Sequence, residues 1–277
     1  MQVTNNYNLP EQIVKAVTFG TRAPADNVIS VTELIGPAWI RFLKRKHWSE
    51  LTEDASERLW ALLGQSVHYI VDKHELENSI SEERLSCEFN GWTLTGQADN
   101  YNGELKAIED WKVTSVWSFM NGVKAEWEAQ LNIYAWMWRK AGFDVDRLNI
   151  NAILRDWQQG RAHGDDYPPI PFIVLPVSVW PDAKIEAYIN GRIAAHVAPE
   201  ECTPDEKWQR TTVYAVMKEG RKSAVKLHDS ENIAMQHATD LGGGHKVVTR
   251  PGECTRCKSY CPVRTFCEFN IHRGDQE

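Results

Sequence analysis

The sequence lacks the features that mark membrane-spanning or secreted chains. No run approaches the roughly 20 apolar residues that a membrane span needs. The first residues, MQVTNNYNLPEQ, contain neither the basic start nor the apolar stretch of a signal peptide. Internal repeats and low-complexity tracts are also absent. We therefore expect a cytoplasmic globular protein with no membrane association, and 277 residues suffice for one full core and a small appended module.

The sequence also lacks an excess of positive charge, since its formal net charge is −7. Proteins that bind nucleic acid usually present a basic surface. A metal site, however, needs acidic ligands, and a basic groove can exist in an acidic protein. Local basic clusters occur at 41–46 and 218–222 and are typical of solvated surface. Charge therefore neither predicts nor excludes a nucleic-acid partner.

Cysteines are few and unevenly placed. Of six in the chain, four fall between residues 254 and 267, at Cys254, Cys257, Cys261 and Cys267. In a cytosolic chain such a cluster predicts metal binding rather than disulfides.

Hydrophobic spacing predicts an α/β (α+β) fold, a mixed β-sheet flanked by helices. The predicted helices are 32–46, 54–77, 121–141, 181–197 and 230–240. The predicted strands are 84–89, 92–100, 105–113, 148–156, 171–179 and 212–218. Asn90-Gly91 and Asn102-Gly103 indicate tight turns, so the first three strands are expected to form an antiparallel meander.

Gly242-Gly243-Gly244 predicts a joint between two domains. The expected division is a main domain of residues 1–245 and a four-cysteine tail of residues 246–277 that packs on it.

Two carboxylates and a lysine form the central chemical pattern. Asp110-Trp111-Lys112 lies at the end of a predicted strand, and Asp99 lies on the preceding strand. Residues two apart on a strand share a face, so Asp110 and Lys112 point the same way. Converging carboxylates can bind Mg²⁺ or Mn²⁺, which polarise a phosphodiester and activate water. A nearby ammonium can orient that water and offset transition-state charge. The pattern favours phosphodiester hydrolysis, although Asp-x-Lys alone is common on solvated strand ends.

The register of the two strands decides whether the carboxylates can share a metal. A two-residue turn at Asn102-Gly103 would pair Asp99 with Lys106 and leave Asp110 about 13 Å further along. The catalytic interpretation therefore predicts a longer loop, a bulge or a strong bend between residues 100 and 107. A tight, straight hairpin would contradict it.

Two predicted helices add polar residues to this pattern. Gln130 and Tyr134 are four apart and share a face of the long helix, and His68 lies on an earlier helix. Each of these residues, taken alone, is more typical of packing than of chemistry.

Together the motifs resemble those of RecB-like PD-(D/E)XK exonucleases, which include CRISPR-associated nucleases of RecB type and phage recombination exonucleases. The resemblance covers about residues 60–140 and the cysteine tail, and it implies a restriction-endonuclease-like fold. Its motifs, in order, are Gly-Gln-Ser-Val-His68, Gly-Gln-Ala-Asp99, Glu-Asp110-Trp-Lys112 and Gln130-Leu-Asn-Ile-Tyr134.

The resemblance implies a metal site. Asp99 and Asp110 would be ligands of Mg²⁺ or Mn²⁺, with His68 and the Trp111 carbonyl as further ligands. The family accepts Asp or Glu at the second acidic position, and Glu109, which faces the other way, is not expected to be a ligand.

The resemblance also implies roles for three further residues. Lys112 would position the attacking water or act as general base. Gln130 and Tyr134 would support the site and contact DNA.

The cysteine tail fits either a 4Fe–4S cluster or tetrahedral Zn²⁺. RecB-like nucleases with such a cluster also end in closely spaced cysteines, but their first cysteine precedes the histidine motif. No cysteine precedes His68 here, so the fourth ligand would be Cys254, or else distant Cys87 or Cys202. We expect the cluster, with zinc as the alternative, and a role in folding rather than in chemistry.

These expectations describe a divalent-metal-dependent DNA exonuclease acting in recombination, repair or DNA-end processing, with a phage origin in keeping with the group. Its partners would be DNA, single-stranded or with free ends, and recombination or replication proteins. One alternative is a non-catalytic DNA-binding or scaffolding protein that retains the nuclease fold, although the intact acidic pair and lysine argue against it. Another is a zinc-stabilised interaction module without a divalent-metal site near Asp99.

Overall fold

The computed structural model of the protein describes residues 1–20, 22–74, 76–118, 122–163 and 167–270. The chain divides into two compact units, Met1–Glu200 and Glu201–Glu277. The sequence predicts a boundary after residue 245 instead. The structure groups residues 201–245 with the cysteine-rich segment because the strand Val213–Lys218 pairs along its length with the strand His245–Arg250.

The first unit contains ten strands and six helices among the described residues. The strands are β1 (Gln2–Thr4), β2 (Val28–Ser30), β3 (Thr52–Asp54), β4 (Ser79–Ser81), β5 (Arg84–Phe89), β6 (Trp92–Gln97), β7 (Asn100–Asn102), β8 (Ala107–Thr114), β9 (Arg147–Leu154) and β10 (Phe172–Val177). The helices are α1 (Glu11–Thr18), α2 (Val31–Ile35), α3 (Ala38–Lys46), α4 (Leu59–Asp72), α5 (Ala125–Lys140) and α6 (Asp182–Val197).

The central sheet of this unit has five strands in the order β10-β9-β8-β7-β4. Only β8 and β9 are parallel, and α5 forms the crossover between them. A second sheet has the order β2-β6-β5, and β1 pairs with β3. Mixed sheets flanked by helices confirm the predicted α/β class and are consistent with a restriction-endonuclease-like fold.

Helix α5 lies at the centre of the first unit. Every residue from Ala129 to Trp138 is buried, as expected for a helix that is surrounded on all sides by other elements. It packs against both sheets and against α2 and α6. The predicted start of this helix at residue 121 lies outside the described residues.

The predicted meander of three strands is wrong. The predicted strand 92–100 is broken at Ala98-Asp99 into β6 and β7, which belong to different sheets. β6 pairs with β5 and, in parallel, with β2, whereas β7 pairs with β8. The pairing of β6 with an N-terminal strand, in a region without clear patterning, could not be read from local sequence.

Two predicted helices are shorter than expected. The predicted helix 32–46 is interrupted at Gly36-Pro37, because proline cannot continue the hydrogen-bonding of the preceding turn. Ser30 caps its first half in a capping box with Glu33. The predicted helix 54–77 begins with a 3-10 turn and becomes α4 only at Leu59.

The second unit is a small sheet with one main helix. Its elements are β11 (Val213–Lys218), β12 (Lys226–His228), α7 (Glu231–Asp240), β13 (His245–Arg250) and α8 (Thr255–Ser259). The strand order is β12-β11-β13, all antiparallel. In the part of the chain that the structure describes, neither unit has a helix with the length and apolarity to cross a membrane.

Close packing of β6 on α5 generates a test of this architecture. A Cβ on Gly96 would lie 2.8 Å from Met137 Sδ and 3.0 Å from Tyr134 Cε1. We expect Gly96→Val to lower the free energy of unfolding by about 1–3 kcal/mol because it overpacks this contact. Urea titration measures the effect. The control is Gly64→Ala in α4, where the added Cβ would meet no described atom within 4 Å beyond its chain neighbours and the helix's own backbone; it should leave stability unchanged or raise it.

Candidate functional site

The β7–β8 hairpin sets the register of the candidate site. Asn100 pairs with Glu109, and Asn102 pairs with Ala107. The connection is therefore longer than a two-residue turn, and Lys106 adopts a positive φ of 49° within it. This confirms the longer loop that the catalytic interpretation predicts. Asp99 lies beside Asp110 rather than four residues away, and its Oδ2 accepts a hydrogen bond of 2.7 Å from the Trp111 amide.

Asp110 is a buried carboxylate in the middle of the central sheet, with 1% of its surface exposed. Burial raises the pKa of Asp110 to about 6, against the opposing effect of the Lys112 ammonium. Lys112 Nζ lies 2.5 Å from Asp110 Oδ2. Among the described residues, the Lys112 ammonium is the partner of this buried oxygen.

His68 of α4 lies against β8 at the same level. Its Nε2 is 3.0 Å from the Trp111 carbonyl oxygen, and its Nδ1 is 3.4 Å from Asp99 Oδ1. The hydrogen bond to Asp99 raises the pKa of His68, and burial opposes this effect. The charges of Asp110 and Lys112 also act on His68, so the structure brings these predicted site residues within electrostatic reach of one another.

Glu82 is a member of the site that sequence reasoning missed. His68, Glu82 and Asp99 each offer a ligand atom, and these atoms lie within 4.8 Å of one another. Glu82 Oε2 accepts a hydrogen bond from Gln97, and burial followed by the Asp99 charge raises the pKa of Glu82. No sequence motif marks this residue. Its backbone amide donates to the Asp99 carbonyl (3.1 Å), so the contact exists only in the tertiary structure.

Gln130 and Tyr134 lie on one buried face of α5, as predicted. Gln130 Nε2 donates a hydrogen bond of 3.1 Å to the Tyr134 hydroxyl. Burial raises the pKa of Tyr134 to about 12, and the charges of Asp110 and Asp99 act in the same direction. Tyr134 therefore remains a neutral hydroxyl close to both carboxylates.

A cavity of about 410 Å³ adjoins the site. His68, Glu82, Asp99 and Trp111 contribute to its lining. Glu109 also lines it and accepts a hydrogen bond of 2.8 Å from Asn100 Nδ2. Asp110 and Lys112 alternate with Glu109 and Trp111 along β8 and point to the other face.

The donor set fits a hard divalent cation. Carboxylates and a backbone carbonyl are the ligands that Mg²⁺ and Mn²⁺ prefer, and an imidazole is compatible with Mn²⁺. The buried Asp110 carboxylate, which is paired with Lys112, is an additional donor at the same level of β8. The residues that could hold the ion are therefore His68, Glu82, Asp99, Asp110 and the Trp111 carbonyl.

All four clustered cysteines lie in the second unit, and none forms a disulfide. Cys254 is buried, and the other three are partly exposed. Burial is the main cause that raises the pKa of Cys257, followed by the charges of Cys254, Cys261 and Cys267. These four cysteines are therefore close enough for their charges to act on one another.

Cys202 lies near this cluster, although it is distant in sequence. The segment that follows it runs alongside the cysteine tail, where Gln209 and Cys254 form an isolated β-bridge and Arg256 N donates to Lys207 O at 3.1 Å. Burial raises the pKa of Cys202 to about 12, and the charges of clustered cysteines contribute. Among the described residues, no three cysteine sulfurs lie within 4.8 Å of one another.

Comparisons with known proteins show a similarity of fold and nothing further. No family model and no curated protein matches the sequence. The crystal structure of SSO0001 resembles the chain with a TM-score of 0.51 and 18% identity, over 72% of this chain and 89% of that chain. A phage-related exonuclease from Haemophilus somnus 129PT gives a TM-score of 0.31 and 18% identity, over 68% of this chain and 81% of that chain. The first likeness shows a shared fold, and the second is too weak to carry an argument.

Burial of Asp110 predicts how stability depends on pH. The pKa of Asp110 in the folded protein, about 6, exceeds its ordinary value of 3.8. Ionisation of Asp110 therefore favours the unfolded chain, so the free energy of unfolding is highest below pH 3.8 and falls as pH rises through about 6. Asp110→Asn cannot ionise and should not show this fall. In metal-free buffer above the folded pKa, we expect the variant to be more stable than the wild type by about 1–3 kcal/mol.

Chemical denaturation across this pH range measures the difference, which should shrink as pH falls toward 3.8. Glu104→Gln, a substitution on the exposed β7–β8 loop, is the control and should leave the profile unchanged. Equal stability of Asp110→Asn and wild type at every pH would contradict the burial of this charge.

Proposed function

We propose that the protein is a divalent-metal-dependent deoxyribonuclease. The observation that supports this proposal is the pairing of buried Asp110 with partly exposed Lys112, 2.5 Å apart, at the level of β8 where His68 and Asp99 also lie. This combination of a lysine with several oxygen donors suits the hydrolysis of a phosphodiester. Exonuclease action, in recombination, repair or end processing, is the finer form of the proposal and rests on the order of the sequence motifs.

Asp99 and Asp110 would hold the ion, with His68, Glu82 and the Trp111 carbonyl as further ligands. When bound, Mg²⁺ or Mn²⁺ polarises the phosphodiester and lowers the pKa of water. His68 now contacts the Trp111 carbonyl, and its raised pKa favours the cationic form. Ligation requires neutral imidazole, so binding of the ion would release a proton where His68 is charged.

Lys112 would orient the attacking water and offset negative charge on the phosphate. Its side chain is 24% exposed, whereas that of Asp110 is 2% exposed, so the ammonium lies between the buried carboxylate and solvent. The Tyr134 hydroxyl, held by Gln130, would keep the carboxylates in place from the side of α5. Together these groups fix the reacting atoms and cost little reorganisation during the reaction.

The substrate would be DNA, single-stranded or with free ends. Recombination or replication proteins are the partners that the motif resemblance suggests.

Substitutions of the acidic pair and lysine provide the main test. We expect Asp110→Ala and Lys112→Ala each to lower the cleavage rate by at least about 100-fold, because both are needed to position and activate water. Glu82→Gln should weaken activation by Mn²⁺ or Mg²⁺ rather than abolish cleavage. End-labelled single- and double-stranded DNA, with Mg²⁺, Mn²⁺ or EDTA, measures these effects.

Glu104→Gln is the matched control, since it changes an exposed acid on the β7–β8 loop. It should retain most activity. Wild-type rates in Asp110→Ala would contradict the assignment, and no cleavage of any DNA by metal-loaded wild type would favour a binding or scaffolding role.

We further infer that the cysteine cluster binds a 4Fe–4S cluster, with Zn²⁺ as the alternative. The resemblance of the cysteine tail to that of RecB-like nucleases with such a cluster supports this choice, and four thiolates this close in sequence also suit tetrahedral Zn²⁺. The four ligands would be Cys254, Cys257, Cys261 and Cys267.

Metal analysis of cysteine variants tests this assignment. We expect Cys257→Ser and Cys267→Ser to lose bound metal and to lower Tm, because the site contributes folding energy. Iron, zinc and acid-labile sulfide are measured in each purified variant. Cys87→Ser, a change in β5 of the first unit, should retain the wild-type content.

The comparison of Cys254→Ser with Cys202→Ser identifies the fourth ligand. Loss of metal only in Cys254→Ser supports the proposed set. Loss only in Cys202→Ser would replace Cys254, and zinc without labile sulfide would replace the cluster.

A further inference from the structure

A group of aromatic and arginine side chains, exposed except for the partly buried Tyr167, lies where the parallel strands β8 and β9 end. We name it the strand-end surface and define it as Trp60, Trp117, Arg155, Arg161 and Tyr167. The two tryptophans are 66% and 54% exposed, which is unusual for the largest apolar side chain. No role proposed above for the metal site uses these residues.

Trp60 and Arg155 form the first half of this surface. The Arg155 guanidinium carbon lies 4.5 Å from the centre of the Trp60 ring, and the Arg155 amide donates to the Thr114 carbonyl at 2.9 Å. Trp60 therefore lies at the carboxyl ends of β8 and β9. It precedes His68 by eight residues of α4, a separation of about 12 Å along the helix.

Trp117 and Arg161 form the second half. Trp117 follows β8 directly, in the 3-10 turn Val116–Ser118. The Arg161 guanidinium carbon lies 5.0 Å from the centre of the Trp117 ring and 4.9 Å from that of Tyr167. Trp117 also lines an open cavity of about 470 Å³, to which Lys124 adds another positive charge.

Both arginines keep their charge available. In the described part of the chain, their guanidinium groups contact aromatic rings and no carboxylate. Their positive charges stand out in a protein with a net charge of −7. Each guanidinium can cover one face of its tryptophan, and the exposed fraction shows that much of each ring remains accessible.

We propose that the strand-end surface binds the unpaired bases of single-stranded DNA and leads the strand to the metal site. Aromatic faces stack on bases of any sequence, and guanidinium groups bind phosphates or stack on bases. The surface lies at the end of the strand that carries Asp110 and Lys112, about 10 Å beyond Trp111 at strand rise. The proposal rests on the proposed nuclease function for one point only, namely that the reacting phosphate lies at the metal site.

Single-stranded DNA fits this surface better than duplex DNA does. In a duplex the base faces are stacked on one another, so exposed indole rings would gain no base contact there. A duplex would instead need a row of unobstructed cations along its backbone, whereas the arginines here lie against aromatic rings.

Binding measurements with EDTA present separate this proposal from cleavage. Fluorescence anisotropy of a labelled single-stranded oligonucleotide is compared with that of a blunt duplex of the same length. We expect Trp60→Ala and Trp117→Ala each to raise the single-strand dissociation constant about 5-fold to 150-fold, as for the loss of one stacked base. Duplex affinity should change by less than about twofold, because paired bases do not stack on these rings.

Trp60→Phe and Trp117→Phe keep an aromatic face and should restore most of the affinity. Phe19→Ala removes another exposed aromatic side chain, 90% exposed and outside this surface, and should bind as the wild type does. Thermal unfolding of each variant excludes a general loss of structure.

Three results would overturn the proposal. They are wild-type single-strand affinity in the Trp60→Ala/Trp117→Ala double variant, equal weakening by Phe19→Ala, and the absence of single-strand binding by the wild type. Loss of single-strand binding in the tryptophan variants of a protein that cleaves no DNA would support the surface and contradict the proposed nuclease activity alone.

Discussion

The register between β7 and β8 is the constraint on which the candidate site depends. Because the loop after Asn102 is longer than a two-residue turn, Asp99 stands beside Asp110 and bonds to the Trp111 amide at 2.7 Å. A register shifted by four residues would separate the carboxylates by about 13 Å. The same hairpin places the Trp111 carbonyl opposite His68, so one backbone geometry orients three of the groups able to bind a cation.

The burial of the Asp110 carboxylate in the core of the first unit is energetically unfavourable. A carboxylate that is 1% exposed is destabilising unless it is paired or protonated, and Lys112 offsets only part of that effect. α5 supplies the remaining surroundings, with Gln130 and Tyr134 as neutral polar groups. A buried charge of this kind lowers stability, which is common where charged groups are held in a dry, ordered environment.

The two units use their polar residues differently. The first unit gathers carboxylates, an imidazole and a lysine around β8, with exposed tryptophans and arginines where that strand ends. The second unit has a small sheet and gathers cysteines. A sheet of three short strands and one main helix buries little apolar surface, so a metal site would contribute much of its folding energy.

Local patterning determined the class of fold, most of the central strands and the buried face of α5, because these depend on residues close together in the chain. The sequence alone also showed the motifs around His68, Asp99, Asp110 and Gln130 and their order along the chain. Only the tertiary structure decided the break of the strand 92–100 between two sheets, the contact of Glu82 with Asp99, and the approach of Cys202 to the cysteine tail. Each of these contacts joins segments that are far apart in sequence, so no local periodicity predicts it. They are stabilised by burial and strand pairing, which exist only in the folded chain.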